Sequence, residues 1–251
     1  MRHTKGEVPV GKFLMPSIVA TALVCAVGSS ANADTITQDF EGGGFTLSGT
    51  GGSSATISNS PVHSGTQAVN LSGPGTGDAE ADVNVSAASL TLGNITSGNY
   101  WVNLISGTNA NAPYIYFPVT TPGGTAYVVM FNPHDMGINL ATGVWTDIQI
   151  DPNTTAFHVE GVQTGIADPG GLTLADLASS DYSAGVTWGS FAVNQADIEL
   201  GQEGDSSLSN YNVDDLTLVG TVPEPTSMAL LGSGLFGLGV IRRRRRQKLA
   251  V

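Results

Sequence analysis

Two acidic residues in the last quarter of the sequence have a spacing that could support catalysis. Asp197 and Glu199 are separated by one apolar residue, Ile198. Because side chains alternate between the two faces of a β-strand, both carboxylates point to the same face if this run is a strand. Two carboxyl groups on one face are what glycoside hydrolysis uses, one as nucleophile or base and the other as acid.

The run Gln195-Ala196-Asp197-Ile198-Glu199 resembles the Glu-x-Asp-x-Glu strand motif of the laminarinase-like jelly-roll glycosidases, with one departure. Gln195 stands where that family carries its nucleophile, and an amide cannot attack an anomeric carbon. A solvent-facing acidic stripe is therefore the better interpretation. No nucleophile elbow, P-loop or dinucleotide fingerprint occurs in the sequence. We predict that the protein is not an enzyme, with a secreted glycan-active enzyme of jelly-roll type as the alternative.

A second set of acids alternates with small apolar residues. Asp78, Glu80 and Asp82 fall on one face of a strand and resemble the start of an EF-hand loop. That loop requires Gly where Val83 stands and a bidentate Glu where Ser89 stands, so an EF-hand is excluded. The pattern predicts a polar outer face, with weak surface binding of Ca²⁺ as the alternative.

Three tyrosines are the candidate ligand-binding aromatics. Tyr114 and Tyr116 fall on one strand face while Ile115 and Phe117 fall on the other, and Tyr127 follows in the next strand. An aromatic ring on the polar side of a sheet can stack on the apolar C–H face of a sugar. The three tyrosines are therefore predicted to bind glycan. The alternative is that they pack under a loop with their hydroxyls reaching water.

Short apolar or alternating runs bounded by Gly, Asn, Ser and Pro predict an all-β protein. Their number and spacing predict a β-sandwich of thirteen strands. One short helix is predicted at Leu172–Ala178, and the three tryptophans are expected in the core. The predicted strands are Thr35–Phe40, Ala55–Ser58, Ala68–Leu71, Ala79–Val85, Ser89–Leu92, Tyr100–Ile105, Tyr114–Phe117, Ala126–Phe131, Val144–Ile150, Ala156–Val162, Val186–Val193, Ala196–Leu200 and Val213–Val219.

Four short motifs near the edges of this β region resemble the frame of jelly-roll carbohydrate-binding modules. They are Asp39-Phe40-Glu41-Gly42, the segment from His63 to Val69, Trp145, and Val213-Asp214-Asp215-Leu216. The resemblance implies a jelly-roll-type sandwich whose first and last strands lie side by side.

The same resemblance implies a structural Ca²⁺ ion held by Glu41 and Asp214. Alternation places Asp214 on the face of Leu216 and Leu218, so its carboxylate is expected among apolar neighbours. A buried charge needs a partner, and a hard cation with oxygen ligands is a natural one. The alternative is an edge position at which Asp214 reaches water.

The charge of the central region is one-sided. Of the nine Lys and Arg residues, three precede Ala33 and six follow Ile241, so residues 34–221 contain none. Nineteen of the 21 acidic residues lie in that region, which gives it a formal net charge of −19. Nucleic acid is excluded as a partner because phosphate binding depends on Lys and Arg.

The N-terminus has the pattern of a secretory signal. Basic residues precede an apolar stretch from Phe13 to Gly28, and Ala31 and Ala33 supply the small residues that signal peptidase requires. Residues 1–33 are therefore predicted to be removed. The only cysteine, Cys25, lies in this stretch, so the exported domain has no disulfide and no thiolate metal site.

The C-terminus carries a proline motif, an apolar segment and a basic run in that order. Prolines hold the motif Val222, Pro223, Glu224, Pro225 extended, and a helix of about residues 226–241 follows it. Five arginines follow this helix, and under the positive-inside rule they stop transfer and keep the C-terminus in the cytoplasm. They are Arg242, Arg243, Arg244, Arg245 and Arg246.

These three parts resemble the PEP-CTERM sorting signal of Gram-negative bacteria. The resemblance implies that an exosortase cuts at the Pro-Glu-Pro motif of residues 222–251, and that the protein passes from the inner membrane to the cell surface or an exopolysaccharide matrix. We therefore predict a non-catalytic surface or matrix protein whose single exported domain, residues 34–221, binds exopolysaccharide. A purely structural component with no ligand is the remaining alternative.

Overall fold

The computed structural model describes residues 32–74, 79–109, 112–134, 136–161, 172–201 and 208–222. These belong to one compact unit, Ser30–Pro225. The predicted signal peptide through Ala31, the sorting signal from Pro223 onward, and Asp78 lie outside the described residues. Within the described ranges, no helix has both the length and the apolar character needed to cross a membrane.

The described residues form fifteen strands, one short α-helix and two 3₁₀ helices, Leu92–Asn94 and Trp188–Ser190. In chain order the strands and the α-helix are β1 (Asn32–Gln38), β2 (Phe45–Gly49), β3 (Ser54–Ser58), β4 (Ala68–Gly73), β5 (Ala81–Thr91), β6 (Ile95–Ser106), β7 (Tyr114–Thr120), β8 (Ala126–Phe131), β9 (Trp145–Ile150), β10 (Ala156–Gly161), β11 (Leu172–Thr173), helix α1 (Leu174–Ser179), β12 (Asp181–Ser183), β13 (Val186–Thr187), β14 (Ala192–Leu200) and β15 (Ser209–Val222).

The strands form two large sheets. The six-stranded sheet has the order β3-β4-β15-β6-β9, with β1 also paired to β15, and the seven-stranded sheet has the order β11-β10-β8-β7-β14-β5-β2. Apolar side chains from both sheets form one core, to which Tyr100 and Val213 contribute from the first sheet and Ile115 and Ile198 from the second. The predicted all-β, jelly-roll-type sandwich is confirmed, including the side-by-side placement of its first and last strands.

Two strand boundaries predicted from the sequence are wrong. β5 and β14 are each continuous where the sequence predicted two strands. β14 contains a register shift on both of its sides, between Val193 and Gln195 against β5 and between Val193 and Asp197 against β7. A β-bulge accommodates an extra residue without ending the strand, so the polar residues there mark a bulge and not a turn. β2 was missed because it is short and follows the glycines at 42–44.

β15 changes its pairing partner in the middle of its length. Residues Ser209–Val213 pair with β4, and residues from Leu216 onward pair with β1. At the junction, Asp215 has a φ of 48° and the register against β6 shifts. Val213 and Leu216 both join the core, so the shift breaks the simple alternation. Asp214 consequently lies on the face opposite Leu216, which corrects the face predicted from the sequence.

Candidate functional site

The outer face of the seven-stranded sheet, which points away from the core, carries two rows of polar and aromatic side chains. Their partners are set by the register of β2, β5, β14 and β7. One row contains Ser48, Asp82, Glu199 and Tyr114, and the other contains Thr46, Asn84, Asp197 and Tyr116. Glu80 lies just before β5, two residues before Asp82, and therefore next to the first row. We call Glu80, Asp82, Asp197 and Glu199 the carboxylate cluster.

The structure brings Gln195, Asp197 and Glu199 to one face of β14, as the alternation predicted. Ala196 and Ile198 point into the core between them. The expectation of a solvent-facing stripe is wrong, however, because Asp197 is 0% and Glu199 is 6% exposed. The tyrosines of the adjacent strand β7 lie beside both carboxylates, so these acids are buried on a face that the sequence pattern marks as polar.

Tyr114 and Tyr116 share the outer face of β7, with ring centroids 6.2 Å apart. The Tyr114 hydroxyl donates a hydrogen bond to Oε1 of Glu199, and the Tyr116 hydroxyl contacts Asp197 closely enough to lower the pKa of that acid. Tyr114 is only 2% exposed, so its ring is not open to stack on a sugar. Tyr116 is half-buried and keeps part of its surface accessible.

Tyr127 does not belong to this face, which corrects its prediction as a glycan-binding residue. It lies in the core, where its ring meets Trp188 edge-on at a centroid distance of 5.2 Å and Tyr182 at 6.0 Å. Tyr127, Val129 and Phe131 are alternate residues of β8, so their side chains point to the same, buried face of the sheet. A ring enclosed by other rings cannot act as a platform for a ligand.

Gln195 uses its amide to orient its neighbours. Its Nε2 donates to Oδ2 of Asp197 at 2.7 Å and to Oδ1 of Asn84 at 3.2 Å. The residue that replaces the nucleophile of the glycosidase motif is therefore a hydrogen-bond donor to the next acid. The other carboxylate oxygen of Asp197, Oδ1, is buried and has no hydrogen-bond partner among the described residues.

Burial controls the acidity of this face. It raises the pKa of Asp197 to about 7, against the opposing hydrogen bonds from Gln195 and Tyr116. Burial likewise raises the pKa of Glu199 to about 7, against the Tyr114 hydrogen bond and with the help of the charges on Glu80 and Asp82. Burial and the carboxylates raise the pKa of both tyrosines, so their hydroxyls remain protonated donors.

A groove of about 400 Å³ opens on the outer face where β14 bulges. The amides and hydroxyls along it can donate and accept hydrogen bonds in the way that sugar hydroxyls require. Its lining consists of Gly44, Phe45, Thr46, Asn84, Val85, Ser86, Asn194 and Gln195. Asn84 and Gln195 belong both to the groove and to the hydrogen-bond network of Asp197, so the groove continues into the carboxylate cluster.

The two predicted calcium ligands lie on either side of one loop, residues 63–67. Glu41 accepts hydrogen bonds from the Thr66 amide, from the Thr66 hydroxyl at 2.8 Å and from the Gln67 amide at 3.0 Å. Asp214 accepts from the amides of His63 at 2.9 Å and Ser64 at 3.3 Å. Both carboxylates thus accept hydrogen bonds from backbone amides, and Glu41 also accepts one from a hydroxyl. Ca²⁺ at this place stays a prediction.

This loop places an aromatic group that the sequence did not reveal. The His63 ring stacks on Trp101 at a centroid distance of 3.8 Å and meets Trp145 at 5.6 Å. His63 Nδ1 lies 2.6 Å from Oδ2 of Asp215. Trp101 and Trp145 are half-buried on the outer face of the six-stranded sheet, so the expectation that they lie in the core is wrong, whereas that for Trp188 is confirmed.

Comparison with known proteins identifies the tail and shows similar folds for the domain. A family model described as the PEP-CTERM protein-sorting motif matches residues 221–246, which confirms the sorting signal predicted there. None of the curated proteins matches the chain.

The solved structures with similar backbones include carbohydrate-binding modules and an enzyme. A family 11 carbohydrate-binding module of a Clostridium thermocellum cellulosomal cellulase is 14% identical, with a TM-score of 0.45 over 76% of this chain and 96% of that one. The CBM22-1 xylan-binding domain from Paenibacillus barcinonensis is 11% identical, with a TM-score of 0.43 over 78% and 99%. An endo-β-1,4-glucuronan lyase from Trichoderma reesei is 14% identical, with a TM-score of 0.45 over 74% and 94%.

Proposed function

We propose that this chain is an exported, non-catalytic surface or matrix protein that binds an uncharged exopolysaccharide in the groove beside Gln195. The observation that carries the proposal is the continuity of that groove with a network of amides and carboxylates on an otherwise regular sheet face. Such a surface offers donors and acceptors at fixed positions, and the half-buried ring of Tyr116 adds an apolar surface at its edge.

Electrostatics selects the class of polymer. The domain carries a formal charge of −19 and no Lys or Arg, so an anionic polysaccharide is repelled unless divalent cations bridge it. An uncharged polymer has no such penalty. Its hydroxyls can pair with Asn84, Asn194 and Gln195, whose amides present both donors and acceptors.

The sorting motif supports the proposed route. Signal peptidase removes the N-terminal segment, the apolar tail holds the protein in the inner membrane with the arginines in the cytoplasm, and exosortase releases it to the surface or matrix. A structural Ca²⁺ between Glu41 and Asp214 is a secondary part of the proposal. We expect about millimolar affinity at a single site, near −4 kcal/mol, so retention depends on many copies meeting one polymer.

Affinity electrophoresis in gels containing the exopolysaccharide of the producing cell tests the proposal. The full chain is run in a nonionic detergent without a sugar head group, because an alkyl glycoside would compete for the site. We expect the wild type to be retarded, and the variant Asn84→Ala with Gln195→Ala to lose the retardation. Trp145→Ala is the matched control, since it removes an aromatic from the other sheet. An unretarded wild type, or loss of retardation in Trp145→Ala alone, contradicts the assignment.

A glycan-active enzyme is the second candidate, because Asp197 and Glu199 share one face beside the groove and both titrate near neutrality. In that case the protein would release new reducing or unsaturated ends from the polysaccharide, and Glu199→Gln would abolish the release. Incubation of the full chain with the same polymer, followed by an end-group assay, decides between the two. Release of ends by the wild type and not by Glu199→Gln would replace the binding function with catalysis.

A further inference from the structure

We infer that the carboxylate cluster on the outer face of the seven-stranded sheet is a binding site for one hard divalent cation of the Ca²⁺ type. This site is distinct from the predicted Ca²⁺ site of Glu41 and Asp214, which lies at the loop of residues 63–67. Glu80, Asp82 and Glu199 each offer one carboxylate oxygen, and these oxygens all lie within 4.8 Å of one another. Oxygens bound to one Ca²⁺ at about 2.4 Å lie no more than about 5 Å apart, so the three fit a single coordination shell.

Asp197 supplies the second observation. Its side chain is 0% exposed, and its Oδ1 has no hydrogen-bond partner among the described residues. It lies on the same face of β14 as Glu199, and Asp82 is near enough for its charge to act on Asp197. A buried carboxylate oxygen without a partner is costly, and a cation held beside it by Asp82 and Glu199 would lower that cost.

The surrounding groups neutralise none of this charge. Each hydrogen bond that the structure gives to Asp82, Asp197 and Glu199 comes from an uncharged donor. These donors are the hydroxyls of Ser48, Tyr114 and Tyr116 and the amides of Asn84 and Gln195. Among the described residues the one ion pair joins His63 to Asp215, on the other sheet. The three carboxylates that can share one ion offer oxygen ligands, and oxygen ligands suit a hard cation better than a soft one.

The proposed cation site also lies next to the groove. Gln195 bonds Asp197 and lines the groove, so a cation in the cluster lies beside a bound sugar and can take its hydroxyls into the coordination shell. This last step rests on the proposed glycan function, whereas cation binding itself does not. Ca²⁺ is favoured over Mg²⁺ because carboxylates from two neighbouring strands, β5 with the residue before it and β14, form an irregular set, and Mg²⁺ demands a near-ideal octahedron.

Isothermal titration of the full chain with CaCl₂ in detergent is the primary test. We expect a site with a dissociation constant of about 0.1 to 1 mM, the range of extracellular calcium modules. Glu199→Gln and Asp82→Asn should each weaken it at least tenfold, whereas the exposed control Asp181→Asn should leave it unchanged. Loss of binding in Glu41→Gln with retention in Glu199→Gln would assign the cation to the 63–67 loop and overturn the inference.

A measurement on the unaltered protein removes the dependence on variants that fail to fold. Tb³⁺ bound at the cluster would luminesce when excited through Tyr114 and Tyr116, and Ca²⁺ would quench that signal by displacement. Absence of both calorimetric heat and sensitised luminescence overturns the site.

The polysaccharide gels run with Ca²⁺ or with a chelator then separate the two proposals. Retardation that persists in chelator keeps the glycan function and removes the cation's part in it, whereas Ca²⁺ binding without retardation keeps the cation and rejects the glycan.

Discussion

The hydroxyl of Tyr114 donates a hydrogen bond to the carboxylate of Glu199, 85 residues away in the sequence. Both side chains are buried although they lie on the face of the sheet that points away from the core. The bond gives Glu199 one partner from a neutral donor and leaves its charge without a cationic neighbour among the described residues. This pair therefore links the stability of the domain to the state of the carboxylate cluster.

Tyr114→Phe is expected to lower the free energy of unfolding by about 1–3 kcal/mol, the cost of leaving a buried acceptor without its donor. Chemical denaturation measures the change. If the loss comes from the bond, the same substitution made in a Glu199→Gln background should cost clearly less, because the charged acceptor is already gone. Equal costs in the two backgrounds would mean that ring packing and not the hydrogen bond is responsible.

The stability of the domain is expected to fall as the pH rises from about 4 to about 7 in the presence of a chelator. Burial raises the pKa of Asp197 and of Glu199 to about 7, and that of Asp214 to about 6. The folded state therefore binds more protons than the unfolded state over this interval, so its advantage is present at low pH and is lost through the folded pKa values.

Denaturant titrations across the same pH interval measure this dependence. The variant Asp197→Asn with Glu199→Gln should flatten it, and Asp181→Asn, an exposed acid, should not. Stability that rises with pH over this interval in the wild type would contradict the burial of these acids.

Asp214→Ala is expected to destabilise the domain by about 1–3 kcal/mol, because the His63 and Ser64 amides lose their acceptor. Faster amide hydrogen exchange at these two residues would locate the effect in the loop. Asp214→Asn is the matched variant, since it keeps one acceptor oxygen and should lose less. If Ca²⁺ also binds here, wild type but not Asp214→Ala would gain thermal stability from the ion beyond the gain from matched ionic strength.

The sorting motif is predicted to depend on its prolines. Changing Pro223 and Pro225 to Ala lets the motif join the following helix, so exosortase no longer finds an extended segment and the protein should stay in the inner membrane. Cell fractionation and immunoblotting measure this, with Thr226→Ala and Ser227→Ala as a control of equal size. Normal arrival of the proline variant at the surface would show that the tail is only an anchor.

The exported protein is predicted to begin at Asp34. In the structure, Asn32 and Ala33 belong to β1 and pair with Val222 and Thr221, so cleavage after Ala33 removes two residues of β1 and leaves Asp34–Gln38 paired. N-terminal sequencing of the secreted form checks this. A terminus at Met1 or within the apolar stretch would contradict it.

Local signals in the sequence were sufficient for the strands that obey simple alternation. β7, β8 and β9 were each predicted close to their observed bounds, because each is flanked by turn residues and alternates regularly. The same reasoning failed at Asp214 and at the break that it predicted between Val193 and Ala196, where β14 is continuous. A bulge changes the parity of every residue after it, and no residue type announces a bulge in advance.

The sequence by itself determined the C-terminal sorting motif, the all-β class, the absence of cysteine from residues 34–221 and the uniform negative charge of that region, since each depends on composition or on residues adjacent in the chain. Only the tertiary structure decided which acids are buried. Glu199 meets Asp82 on one side and Tyr114 on the other through antiparallel pairing of three strands, and Asp214 is covered by a loop about 150 residues earlier. Such burial depends on register between distant segments, and register is set by how whole sheet faces pack, which no local pattern contains.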